Sequence, residues 1–450
     1  MPAPSTTAPS GLAGGLVVAG LLAVVILDTR LLGEDALGAW MIPVAGIVAA
    51  MAFGRRCERV HPDEPWLPGL LVLGTIAKLV ASYLRYLTLT KAYGGVGDAT
   101  TYDGAGRKFV AAWIGHASGP ELNNLRQTNF IKWLTGVVYY LFGRDIVAGF
   151  LVFGLFAVIG SYFWYRAFAD SVPSGNRRLF LLFMMFAPSV VFWPSSLGKE
   201  AVMQVGVGGV AWATTLLLNG RLLRAVPLAA GAGWLLWVVR PHLLALVTVA
   251  AAVPYLVGRV RGRGANSLLA RPAGMVLVGV LVVFTVTAGA KFLGIDKLSV
   301  DAIEEQLDEE TARTSKGGSS FSHGSNSLNP LRLPMGAVTV LFRPFPWEAD
   351  SSFQLLASAE SAVVIVLILR RFRSITLALR RCRIEAFILY CWVLLAEYSM
   401  TFSSFANFGL LNRQRSLVLP ALYALIAVEP KLLQGGDEER REAPTVAPRR

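Results

Sequence analysis

Gly97-Asp98-Ala99-Thr100-Thr101-Tyr102-Asp103 sets two carboxylates and a phenol just after an apolar segment, Leu67–Leu89, long enough for one membrane crossing. Acids beside a membrane are costly to place and usually functional. Three roles fit the pair. One carboxylate within hydrogen-bond reach of a hydroxyl acts as a general base. With a further oxygen ligand such as Glu348, the pair holds a divalent cation. Alternatively Asp98 opens a helix and Asp103 pairs with Arg107 one turn later. Asp98 is the preferred base, because the run Gly94-Gly95-Val96-Gly97 lets its backbone approach a ligand closely. Asp103 is the second choice. The four histidines are scattered and the three cysteines have no ligand spacing, so no metal or other cofactor is expected. A cation at Asp98, Asp103 and Glu348 is the lesser alternative.

Four other groups fall on the same side of the membrane in the topology set out below. They are Pro194–Glu200, Arg240-Pro241-His242, Arg343–Glu348, and Asn407 with Asn412–Arg415. Their cations, Lys199, Arg240, Arg343, Arg413 and Arg415, run against the usual crowding of basic residues in the cytoplasm. An anionic substrate would account for them, since Arg forks and Lys point charges both bind phosphate oxygens. Ser195-Ser196 ahead of a helix start would add free backbone N–H groups. Tyr102, Ser196, Glu200, His242 and Glu348 are supporting residues in this reading. The competing account is that each cation snorkels from a helix end to lipid headgroups. Ser196-Leu197-Gly198-Lys199 also matches the S-x-x-K of serine acyl-enzymes, but the companion motifs are absent. Lys78, Arg85, Glu360 and Glu397 lie in or near spans, where such groups face the interior and pair.

The elements that must position these residues are apolar helices. Hydrophobic residues make up 54% of the 450 and charged residues 16%, against roughly 25% charged in a soluble domain. Mean hydropathy is +0.54. The fold class is all-α: a polytopic transmembrane bundle of about twelve spans, by the length one crossing needs. The expected spans are Leu12–Leu27, Leu37–Phe53, Leu67–Leu89, Ile146–Ala167, Leu179–Trp193, Ala201–Leu218, Ala225–Val239, Leu243–Val257, Ala273–Phe292, Phe353–Leu369, Ala386–Phe402 and Ser416–Val428. The net charge of +13 reflects basic loops such as Arg55–Arg59, 258–271 and 370–383, not a nucleic-acid partner. Placing those loops inside puts both termini in the cytoplasm and the loop after Leu89 outside. The parity holds only if Asn129–Phe142 does not cross. Phe130, Leu134, Val137 and Leu141 give it the stripe of an interfacial helix, and Tyr102, Phe109 and Trp113 form another. Residues 1–430 form one transmembrane domain and 431–450 a disordered tail. The outer loop 294–352 contains an acidic helix-favouring stretch, 301–310, and a mobile segment, 315–329. That loop reads as a lid or as inert connection.

The acidic G-D-x-x-x-Y element at Gly97–Tyr102, the interfacial helices beside it and the outer cations resemble the polytopic glycosyltransferases of the GT-C class. They also resemble the related exopolysaccharide and O-antigen polymerases. The two spans before the first large loop are closer to the polymerase arrangement. The resemblance implies a polyprenyl-linked sugar donor, a glycan or lipid-linked acceptor, and a base at Asp98, with Asp103 as alternative. Lys199, Arg240, Arg343, Arg413 and Arg415 would face the leaving phosphate. The expected activity is inverting glycosyl transfer at the outer face of the cytoplasmic membrane, in cell-envelope polysaccharide assembly. A transporter or flippase of lipid-linked glycans is a rival, disfavoured by the one-sided polar groups and the lack of repeats. A non-catalytic envelope-assembly scaffold is the third reading.

Overall fold

The computed structural model describes residues 37–116, 118–121, 124–173, 175–257, 270–295, 299–315, 320–321 and 333–429. The expected span Leu12–Leu27 and the tail lie outside these residues, as do most of loop 258–271 and of segment 315–329. The described chain is helical. Apart from isolated bridges pairing Gly175 with Val428 and Ser320 with Asn407, no strand pairing occurs among the described residues.

Six described helices are long and apolar enough to cross a membrane. They are α1 (Leu37–Val60), α2 (Leu67–Leu87, continued by a π turn over Thr88–Ala92), α5 (Ile146–Ser171), α8 (Lys199–Leu218), α9 (Leu222–Val239) and α14 (Ser352–Arg370). A bent pair, α15 (Phe372–Arg381) with α16 (Ala386–Phe402), makes a seventh if read as one span. Among the described residues these apolar helices give six to seven candidate spans, which marks a membrane protein and does not confirm the expected twelve. The remaining apolar helices are shorter. Among them are α10 (Pro241–Val257), 17 residues long, and α13 (Leu333–Phe342), 10 residues long. Helices α11 (Ala270–Phe292), α12 (Val300–Thr314) and α17 (Phe408–Ile426) complete this part of the chain.

The expected span over Leu179–Trp193 is broken into α6 (Arg177–Phe186) and α7 (Pro188–Phe192). Pro188 explains the break, since it has no N–H and pushes Ala187 away from helical geometry. Broken backbone inside a membrane bundle survives only where its polar groups find partners. Here the Ser189 N–H donates to Glu360 Oε1 at 2.8 Å, and the Ser189 hydroxyl donates to the other carboxylate oxygen.

The chain forms two compact units. The first comprises residues 1–159, 185–187 and 191–204; the second comprises 160–184, 188–190 and 205–450. In the first unit the loop after α2 carries two helices, α3 (Asp98–Trp113) and α4 (Thr128–Phe142). They meet through glycines. A Cβ on Gly106 would stand 2.7 Å from Thr135 Cγ2, and one on Gly136 would stand 2.7 Å from Phe109 Cβ. Larger residues at either position would force the helices apart. The buried face of α4 is Phe130, Ile131, Thr135, Val138 and Tyr139. Of the expected interfacial stripe, Phe130 belongs to this buried face, Leu134 and Val137 are half-buried, and Leu141 is 65% exposed, with Tyr140 beside it 59%. Packing against α3 claims one face of α4 and leaves an apolar edge free for lipid.

In the second unit α10 packs on α11 and α16, while α16 also packs on α13 and α17. Helix α17 starts eight residues before the expected span over Ser416–Val428, because Asn407 caps it. The Asn407 side chain accepts from the N–H groups of Gly409 and Leu410 at 3.0 and 3.2 Å. Asn412, Arg413, Gln414 and Arg415 consequently lie on a helix, not in a loop.

Candidate functional site

Of the residues singled out in the sequence, Asp98, Tyr102, Asp103, Ser196, Lys199 and Glu200 belong to the first unit. Arg240, His242, Arg343, Glu348, Arg413 and Arg415 belong to the second.

A tight turn positions Asp98. Gly94 and Gly95 adopt φ of 59° and 79°, a left-handed conformation that glycine takes without strain. The Gly95 N–H bonds back to the Leu89 carbonyl at 2.8 Å, and the Thr100 hydroxyl donates to the Gly95 carbonyl at 2.5 Å. The end of α2 and the start of α3 are thus tied together, and Asp98 sits exposed in the first turn of α3. An acid there also complements the helix dipole.

Asp103 is engaged differently. Arg107 Nε lies 3.1 Å from both of its carboxylate oxygens, and the Tyr139 hydroxyl donates to Oδ1 at 2.6 Å. This is the i, i+4 pairing weighed in the sequence, with a third partner from α4 added. Burial, followed by the charge and hydrogen bond of Asp103, pushes the Tyr139 phenol well above its ordinary range. Tyr139 therefore stays a proton donor to Asp103. Tyr102, one residue before Asp103, is buried at 2% exposure in the α3 core stripe with Phe109.

The Ser195–Glu200 turn lies in the same unit. Gly149 faces both Tyr139 and Leu197: a Cβ there would stand 3.1 Å from Tyr139 Cε1 and 3.4 Å from Leu197 Cδ2. The α3–α4 pair and the Ser195–Glu200 turn therefore abut through one glycine of α5. Arg85, at the end of α2, holds its guanidinium 4.9 Å from the ring centres of both Phe192 and Trp193. Its Nη2 reaches the Ser196 hydroxyl at 3.5 Å. Ser195 is fully buried, and its hydroxyl has no partner among the described residues. Lys199 and the buried Glu200 open α8. A guanidinium packed beside aromatic rings is a planar fork of donors of the kind that suits phosphate oxygens. The sequence places Arg85 among groups near span ends that pair in the interior, for structural or functional reasons alike. The adjacent aromatics Phe192-Trp193, just before Pro194, are the local signal for the clamp. Tyr139 has no local signal.

In the second unit Arg343 and Arg415 are built into ion pairs. Arg343 Nε lies 2.9 and 3.1 Å from the two oxygens of Glu348, and its Nη2 lies 2.5 Å from Oε1. The Phe345 N–H donates to Glu348 at 2.9 Å, and the guanidinium sits 4.1 Å from the Phe321 ring centre. Partial burial works against ionisation of Glu348. The hydrogen bonds from Arg343 and Phe345 and the Arg343 charge together outweigh it, so its pKa lies below the usual 4.5. Arg415 is 1% exposed. It donates to Ser361 Oγ at 2.8 Å and to the Leu341 carbonyl at 3.2 Å, with Glu360 at 3.6 Å. Arg413 and Arg240 are half-buried. His242, at the start of α10, stacks on Phe292 with ring centres 5.2 Å apart.

Among the described residues no group of three or more His, Cys, Asp or Glu gathers as a metal site would require. Asp103 and Glu348, two of the ligands weighed for a cation, each face an arginine instead. No protein family, curated protein or solved structure matches this chain.

Proposed function

We propose that this protein transfers a glycosyl group at the outer face of the cytoplasmic membrane, from a polyprenyl-(pyro)phosphate-linked sugar to a glycan or lipid-linked acceptor, in cell-envelope polysaccharide assembly. One observation carries the reading. An exposed carboxylate, Asp98, is fixed at the end of a membrane helix, in the same compact unit as a lysine and an aromatic-clamped arginine. A lipid-linked donor has its anionic group at that depth and its tail in the bilayer. In this reading both termini face the cytoplasm.

In this reading the labour divides among these residues. Asp98 takes the proton from the attacking hydroxyl. That oxygen then displaces the lipid phosphate at the anomeric carbon with inversion. Arg85 and Lys199 stabilise the growing charge on the departing phosphate, assisted by the hydroxyls of Ser195 and Ser196. Asp103 fixes α3 against α4 through Arg107 and Tyr139, so it positions the base. Arg343 and Arg415 hold their own unit together through Glu348 and Glu360.

The test is transfer from labelled polyprenyl-phosphate sugars by purified protein in lipid. Asp98→Asn should lower transfer about a hundred-fold or more, the usual worth of a positioned base, without altering thermal stability. Arg85→Gln should weaken the reaction while Asp103→Asn acts chiefly through stability. Unimpaired transfer by Asp98→Asn would remove Asp98 from the mechanism. Movement of intact lipid-linked sugar across vesicles, with no transfer, would favour the transport reading instead.

A further inference from the structure

The helix α15 and its two flanks form a basic and apolar surface that the proposed chemistry does not use. Ser374 and Ala378 are its buried stripe, at 1% and 0% exposure. At 100° per residue, the pairs Phe372/Leu379 and Arg373/Arg380 run as two neighbouring stripes on the opposite face. Phe372 and Leu379 are 59% and 57% exposed, large values for apolar side chains on a helix. The pattern continues at both ends, with exposed Leu369 beside Arg370 and exposed Ile384 beside Arg383.

Two other arginines of this segment have acidic partners. Arg371 lies 3.7 Å from Glu429, and Arg381 lies 2.7 Å from Glu385. Arg370, Arg373, Arg380 and Arg383 are exposed and have no acidic partner among the described residues. The helix follows the spanning α14 directly and meets α16 at a bend of 107°. A helix turned so sharply from the apolar helix it precedes lies along the membrane surface, with apolar residues toward acyl chains and cations at headgroup depth.

We propose that this face binds anionic phospholipid headgroups. The occupant is set by charge and by alternation. Four unneutralised guanidiniums interleaved with four exposed apolar side chains match a surface that offers phosphates above hydrocarbon. A soluble anion would use the arginines and leave Leu369, Phe372, Leu379 and Ile384 in water.

The test uses full-length protein in bilayers of phosphatidylcholine with phosphatidylglycerol, and reads the enrichment of phosphatidylglycerol among co-purified lipids. Each basic residue at an anionic surface contributes about five-fold in affinity. The variant R370Q/R373Q/R380Q/R383Q should therefore lose at least ten-fold of the enrichment, and 1 M salt should erase it in the unaltered protein. Arg55, Arg56 and Arg59 are also exposed, and their Gln variant should keep it. Retained enrichment in the first variant would overturn the proposal. Equal loss in both variants would overturn it too, by showing a general charge effect. Thermal melting of both variants identifies a folding defect. In that event L379Q alone, which keeps every charge, must lower enrichment for the proposal to stand.

Discussion

Two carboxylate–arginine pairs, one in each unit, use the same chemistry in opposite surroundings. Asp103 and Arg107 stand 3.1 Å apart on a surface helix, with side chains 16% and 34% exposed. Glu360 and Arg415 stand 3.6 Å apart inside the bundle, at 7% and 1%. The first is partly open to solvent. In the second the protein must supply partners, and it does so in part: the N–H and hydroxyl of Ser189 serve Glu360, and Ser361 and the Leu341 carbonyl serve Arg415 Nη1, while Arg415 Nε and Nη2 have no hydrogen-bond partner among the described residues. The internal pair therefore ties the broken helix α6–α7, α14, the end of α13 and α17 into one network. The surface pair orients a single helix end.

The comparison breaks most readily at Arg415. Replacing it with Leu leaves Glu360 buried without its cation, which costs about 3–5 kcal/mol. Adding Glu360→Gln to that variant should recover a substantial part, since a neutral amide still accepts from the Ser189 N–H. Detergent-solubilised thermal or chemical unfolding measures both. If the double variant is as unstable as the sum of the singles, the two groups are not coupled and the network account fails.

A smaller effect sharpens the surface side. Tyr139→Phe removes the 2.6 Å bond to Asp103 but leaves Arg107 in place. A hydrogen bond to a charged group is worth about 1.5–3 kcal/mol, and the remaining partner should hold the loss near the lower figure. Because Asp103 orients α3 without touching substrate in the proposed mechanism, transfer should fall only modestly, with its pH profile unshifted. A profile displaced by Tyr139→Phe would instead place Asp103 among the reacting groups.

The surface pair was partly readable in the sequence and the internal one was not, for a physical reason. Arg107 follows Asp103 by one helical turn, and that spacing is visible in one dimension. Tyr139 is 36 positions from Asp103, and Ser189 is 171 from Glu360, so both contacts arise only through packing. The apolar runs placed most helices within a few residues, including one over Thr128–Phe142. They failed where backbone chemistry intervened. Pro188 cut one expected span, visible as Ala187-Pro188 but outweighed by the apolar run around it. Asn407 started α17 early and carried Arg415 from an expected loop into the interior. Helix α13 was missed because its ten residues sit inside a stretch whose neighbours are rich in Gly, Ser and Asn.

The pair Arg343–Glu348 lies between these extremes, with both side chains 19% exposed, and it yields the smallest effect. Solvent screening keeps such a pair near or below about 1 kcal/mol. Its sign is still decisive. Glu348 titrates below its ordinary 4.5 in the folded protein, so the folded state releases this proton more readily than the unfolded one. The stabilisation is therefore fully present above the unfolded value and disappears as the pH falls through the lower folded value. Melting temperatures of the unaltered protein and of Glu348→Gln should differ at pH 7 and converge below pH 4.5. A gap that persists in acid would mean that the side chain holds the Phe345 turn by shape and neutral hydrogen bonds. In that case the Arg343 position would not depend on the Glu348 charge.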